Sequence, residues 1–186
     1  MGTGAAAGPP CDNRAMDHCD ECRFVYGDHG TDGVAGEIRA LGGRFATVLT
    51  GPAADPGALA TRPAPDVWSA VEYGCHVRDV LLAQRERLLL ALVEDRPTCA
   101  PIYRDQRAVL ARYAEEPPHQ VARELTVAAD LLAWVLDGLD GDAWDRTCIY
   151  NFPEPSVRDM AWLAQHTLHE AEHHLADITR EWPPPG

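Results

Sequence analysis

From about residue 34 onward, apolar side chains recur at three- and four-residue intervals, the period of a helix with one buried face. Ile38, Leu41, Phe45 and Val48 form the first stripe, and Gly51, Pro52, Pro56, Gly57, Pro63 and Pro65 then mark a loop. A longer helix is predicted from about Val67 to Glu94, with Asp66 as its N-cap. Val71, Tyr73, Val77, Val80, Leu81, Leu88 and Leu92 share its broad apolar face, while Glu72, Arg78, Asp79, Arg85 and Glu86 lie off it. Pro97 and Pro101 end that pattern, and a shorter helix is expected across Tyr103–Glu115, stopped by Pro117 and Pro118. Another should run from about His119 to Leu139 with Val121, Leu125, Ala128, Leu132 and Val135 inward, closed by Gly138 and Gly141. Ser156 followed by Asp159 resembles the start of a capping box, opening a last helix that reaches about Glu181. Strand-like alternation competes nowhere, so the pattern predicts an all-α four-helix bundle.

Residues 1–33 break this rhythm: they are rich in Gly, Cys and Asp and carry no period. The expected organisation is an irregular N-terminal segment, 1–33, followed by a helical bundle over 34–182. Composition places the chain among ordinary globular proteins, with 46% hydrophobic and 24% charged residues. No apolar run is long enough to span a bilayer, and no basic region followed by an apolar stretch opens the chain. A cytoplasmic protein is expected. The formal charge of −13 comes from 29 acidic residues against 16 basic ones, a field that repels phosphate backbones and anionic lipid. Nucleic acid and membrane are therefore excluded as partners, and a small molecule is the expected ligand.

Candidate chemistry lies in the histidines and in one cysteine pair. His169 and His173 are four apart on the last helix, so both imidazoles project from one face. They flank an arc of Ala164, Leu168, Ala171, Leu175 and Ile178, whereas Glu170 and His174 point further round, toward solvent. His76 sits at the apolar edge of the second helix. Three such ligands meeting inside a bundle would leave coordination positions open, as catalytic metal sites do. Asp79 and Glu72 flank His76 along its helix and could orient its imidazole, or simply form a solvated charged face. Cys19 and Cys22 have the C-x-x-C spacing, with His18 adjacent and Cys11 and His29 further out. One such pair supplies two ligands of a four-ligand site. It could be structural, lie near the metal, or act as a redox pair. Cys75, Cys99 and Cys148 read as buried small hydrophobes.

Two stretches carry a family likeness. Trp68-Ser-Ala-Val-Glu-Tyr-Gly-Cys-His76-Val-Arg-Asp79 and Leu168-His169-Glu-Ala-Glu-His173-His174-Leu-Ala-Asp177 together resemble the DinB/YfiT-like superfamily. Cys19-Asp-Glu-Cys22-Arg-Phe24 resembles the Cys-x-x-Cys-Gly-Phe element of its actinobacterial branch, with Arg23 where Gly is usual. The resemblance implies an up-down four-helix bundle that holds a divalent metal through His76, His169 and His173. Mycothiol-dependent maleylpyruvate isomerase and its kin use a Glu and a His four apart on the last helix, which Glu170 and His174 would match. Zinc is the expected ion, with nickel or iron as alternatives, and a homodimer is compatible with the family.

The resemblance further implies thiol chemistry. A free thiol is only a few per cent ionised at neutral pH, and coordination to a metal ionises it. The expected function is a metal-dependent S-transferase or thiol-dependent isomerase that uses a low-molecular-weight thiol, mycothiol above all, against a small electrophile. Two alternatives stay open: a non-catalytic metal or redox sensor switched by Cys19 and Cys22, and a metal-dependent hydrolase that uses no thiol. The mouth of the site is expected from the loops around Tyr103 and Asn151.

Overall fold

Four long helices, two short ones and a two-stranded hairpin form the regular structure of the described residues, 18–52, 54–152 and 154–181, of the computed structural model. In chain order they are α1 (Val34–Thr50), α2 (Pro56–Leu59), α3 (Ala70–Val93), α4 (Arg104–Leu110), α5 (Pro118–Asp137), β1 (Thr147–Tyr150), β2 (Ser156–Asp159) and α6 (Met160–Glu181). Cys11 lies outside the described residues.

The long helices close a ring in an order that differs from the chain. α1 packs on α5, α5 on α3, α3 on α6, and α6 returns to α1, while α1 and α3 barely touch. The α1–α3 and α5–α6 connections therefore run across the bundle, and they are also where α2 and the hairpin are inserted. Phe45, Leu49, Leu125, Leu132, Leu163, Leu168 and Ile178 fill the centre, each at most 2% exposed. Close approach of α5 depends on small residues. A Cβ added at Gly42 of α1 would stand 2.9 Å from Ala129 Cβ, and one at Gly74 of α3 would stand 3.0 Å from Val121 Cγ1.

Three local expectations change. α3 starts at Ala70 rather than Val67, because Ser69 and Glu72 form a reciprocal capping box in place of a cap at Asp66. The helix expected over Tyr103–Glu115 stops at Leu110, where Arg112 turns left-handed (φ 57°) before a 3₁₀ turn at Tyr113–Glu115. Ser156 does not open a helix: it lies in β2, which pairs antiparallel with β1 from Thr147↔Asp159 to Tyr150↔Ser156. The cap belongs instead to Asp159, whose Oδ1 accepts from Trp162 N at 2.7 Å. No helix among the described residues is long and apolar enough to cross a membrane.

Candidate metal centre and its cavity

Successive helical residues are turned by about 100°, so the pairs His169/His173 and Glu170/His174 look out of α6 in different directions. The structure sends them to different partners. Glu170 and His174 face α3, where His76 joins them in one group with ligand atoms within 4.8 Å of each other. His169 and His173 face the N-terminal segment and form a comparable group with Cys19 and Cys22. The expected trio of His76, His169 and His173 is thus divided between two clusters. His174 is only 7% exposed, because α3 covers the flank that the helical wheel assigned to solvent.

His76 is buried, and neither of its ring nitrogens has a hydrogen-bond partner. A buried imidazole left in that state costs about 1–3 kcal/mol for an unsatisfied group. Its Nε2 stands 3.9 Å from Glu170 Oε2, and His174 Nε2 stands 3.9 Å from the same oxygen. Two ligands each about 2.1 Å from one ion are separated by roughly 3–4 Å. The orphaned nitrogens and the donor set of two imidazoles and one carboxylate therefore fit a divalent metal. Burial lowers the pKa of His76, keeping the ring neutral and its lone pair available. Burial alone would raise that of the Glu170 carboxyl, but His76, His166 and His174 outweigh it and hold it well below the usual range.

The carboxylate that orients the His174 imidazole is Asp177, and sequence reasoning did not single it out. Its Oδ2 accepts from His174 Nδ1 at 3.0 Å, which leaves His174 Nε2 free to face Glu170. Asp79 and Glu72 do other work. Asp79 accepts from Tyr113 Oη at 2.6 Å and from Arg78 Nε at 3.0 Å, while Glu72 is held by Arg62 and by the Ser69 cap. His166, also buried, is engaged through both nitrogens, by Tyr26 Oη at 3.0 Å and Tyr150 Oη at 3.1 Å. The signal for Asp177 was its place one helical turn beyond His174.

The trio opens on a cavity of about 750 Å³. Trp68, Tyr73 and Tyr150 form buried parts of its wall, while Tyr103 and Phe152 are exposed at its edge. Asn151 and Tyr103, expected near the mouth, both line it, and Arg87, Arg104 and Arg180 contribute guanidinium groups. This volume holds a ligand of cofactor size. Cys75, Cys99 and Cys148 are buried, as a small-hydrophobe role requires.

Comparison with known proteins bears on the fold and the family. No curated protein matches the chain. Among solved structures the chain is similar to YfiT from Bacillus subtilis, described as a probable metal-dependent hydrolase with an unusual four-helix bundle topology. The two share 16% sequence identity with a TM-score of 0.71, over 81% of this chain and 85% of that one. The sequence profile of the DinB superfamily matches residues 41–178, a span that holds α3 and α5 whole, α1 from Leu41 and α6 up to Ile178, and with them His76, Glu170 and His174. The chain belongs to the DinB superfamily.

Proposed function

We propose that this protein is a metal-dependent enzyme in which His76, Glu170 and His174 hold a divalent ion, zinc above all, at the wall of the cavity. Its substrates would be a low-molecular-weight thiol and a small electrophile. The observation that carries the reading is the buried His76, unpartnered at both nitrogens and 3.9 Å from a carboxylate oxygen shared with His174. Three protein donors leave positions open to a ligand. An ion bound there lowers the pKa of a thiol or water that reaches those positions. The chain's own groups do the rest. Asp177 fixes the tautomer and tilt of His174, and burial keeps His76 neutral. Trp68, Tyr73 and Tyr150 exclude water from one side of the ligand. The cavity of about 750 Å³ supports a thiol cofactor and an acceptor together, and mycothiol is the thiol that the sequence resemblance suggests trying first.

A second reading has an observation of its own. Two imidazoles and one carboxylate form the donor set of several hydrolytic zinc sites, and the similar YfiT is described as a probable metal-dependent hydrolase. Calorimetric titration of zinc-loaded protein with mycothiol and other small thiols separates the two. Thiol binding that requires zinc and disappears in His174→Ala supports the transferase or isomerase reading. Zinc-dependent cleavage of amide or ester substrates, with no thiol binding, supports the hydrolase. A protein that takes up no metal through His76 sinks both.

A further inference from the structure

The second cluster on α6 is not used by the proposed chemistry, and its donors are of a different kind. Cys19 and Cys22 come from a tight turn, and His169 and His173 come from successive turns of α6. The ligand atoms of all four lie within 4.8 Å of one another. We propose that these four residues form a second metal site, a closed structural zinc centre that fastens the N-terminal segment to the bundle.

Three observations converge on it. First, the separations suit zinc. With Zn–S near 2.3 Å and Zn–N near 2.0 Å, tetrahedral ligands lie about 3.4–3.8 Å apart, and Cys19 Sγ stands 3.8 Å from His173 Nδ1. Second, His169 is 1% exposed and its Nε2 is buried without a hydrogen-bond partner, while its Nδ1 is engaged by Tyr26 Oη at 2.8 Å. An imidazole anchored through one nitrogen and unsatisfied at the other is the arrangement of a metal ligand with its outer partner. His173 is turned to the same point: its Nδ1 faces Cys19 Sγ, and its Nε2 lies 3.4 Å from Glu21 Oε2. Third, the backbone is already folded as a knuckle. Arg23 N donates to Cys19 O and Cys19 N donates to Phe24 O, each at 2.7 Å, with Arg23 left-handed at φ 63°. Phe24 then packs over the His169 ring, centroids 5.3 Å apart.

Four protein donors leave no position for substrate, which assigns the site to structure rather than catalysis. Zn²⁺ uptake would release one proton from each thiol, two per ion, as the Cys19 and Cys22 thiolates form. The two sites share no ligand, so this inference stands or falls independently of the proposed function. Its effect on the first site is mechanical, since fixing His169 and His173 also fixes the rotation of α6 on which Glu170 and His174 depend.

Cobalt titration of the full, reduced, metal-stripped chain tests it. About two equivalents should bind, one of them giving tetrahedral visible bands and a thiolate-to-cobalt charge-transfer band that zinc displaces. Cys19→Ser should abolish the charge-transfer band and about one equivalent. His76→Ala should lose the other equivalent and keep the band, and His173→Cys should retain metal with a stronger band. Should Cys19→Ser not fold, alkylation mapped by mass spectrometry on the wild type gives the same answer: zinc must protect Cys19 and Cys22. A reduced wild-type protein with no charge-transfer band overturns the proposal. So does a band unaffected by Cys19→Ser, or full alkylation of both thiols in the presence of zinc.

Discussion

Replacing His76 by Leu should stabilise the metal-free protein and destabilise the metal-loaded one relative to wild type. The imidazole is 3% exposed, and both its nitrogens lack hydrogen-bond partners. Each unsatisfied buried group costs about 1–3 kcal/mol. Glu170 at 3.9 Å relieves part of this without making a hydrogen bond, so about 2 kcal/mol is a fair total for the ring. Leu forfeits the edge contacts of His76 with Trp68 (5.3 Å) and His174 (4.9 Å), but its own apolar contacts return most of what is lost, leaving a deficit of about 1 kcal/mol. The net gain is about 1 kcal/mol, which for a chain of this size raises Tm by roughly 2–4 °C. With metal at a thousand times its Kd, the wild type gains about 4 kcal/mol, roughly 10 °C, that His76→Leu cannot gain at this site. Any stabilisation through Cys19, Cys22, His169 and His173 is common to both proteins and cancels. Thermal unfolding in chelator and in excess zinc should therefore show the order of stability reversing. A variant less stable than wild type in chelator would mean that the ring nitrogens are satisfied after all. Equal zinc-induced shifts in the two proteins would remove His76 from the site.

Three further outcomes follow from local geometry. Arg23→Gly should raise Tm by about 2–4 °C in thermal denaturation, because the left-handed conformation at φ 63° costs an ordinary residue about 1 kcal/mol that Gly does not incur. Ser69→Ala should lower stability by about 1 kcal/mol in urea titration, since it removes the acceptor for Glu72 N at 3.2 Å and with it the start of the helix that carries His76. The Glu72 carboxyl would be raised by burial, but Arg62 and Ser69 outweigh this and hold it below its usual 4.5. A depressed carboxyl pKa stabilises the fold above the unfolded value and loses that contribution as pH falls through the folded one. The stability advantage of wild type over Glu72→Gln, measured by urea titration, should accordingly shrink as pH falls below 4.5; a constant difference would refute the sign.

Helix positions were legible because each long helix buries a stripe with the 3.6-residue period: Ile38, Leu41 and Phe45 on α1, and Val121, Leu125, Ala128 and Leu132 on α5, are all buried as read. What covers a stripe is another matter. Nothing in the period of α1 says that it meets α5 rather than α3, because an apolar face is compatible with any partner of similar shape; the diagonal connections are a property of loop lengths and mutual packing. The hairpin escaped for a different reason. Thr147–Tyr150 is four residues long, too short for alternation to stand out, and Ser156 three residues before Asp159 imitates a helix start. The Ser69/Glu72 box, a true one, was masked by an equally plausible N-cap three residues earlier at Asp66.

The site was half legible, and the missing half has one physical cause. A helical wheel divides residues into those on the apolar arc and those beyond it, and assigns the latter to solvent. That inference holds only when a single side of the helix is covered. α6 is covered on two polar flanks as well: the cysteine knuckle lies over His169 and His173, and α3 lies over Glu170 and His174. Along His169-Glu-Ala-Glu-His173-His174, two pairs of ligand type are interleaved one residue apart. The roughly 100° between successive residues prevents both pairs from reaching His76. Choosing between them required knowing which flank α3 occupies, and that is fixed by the ring order of the bundle rather than by any residue of α6. Once α3 is placed, Glu170 and His174 are the pair that faces His76. His169 and His173 then face the N-terminal segment, where the thiols of Cys19 and Cys22 lie within 4.8 Å of their ligand atoms.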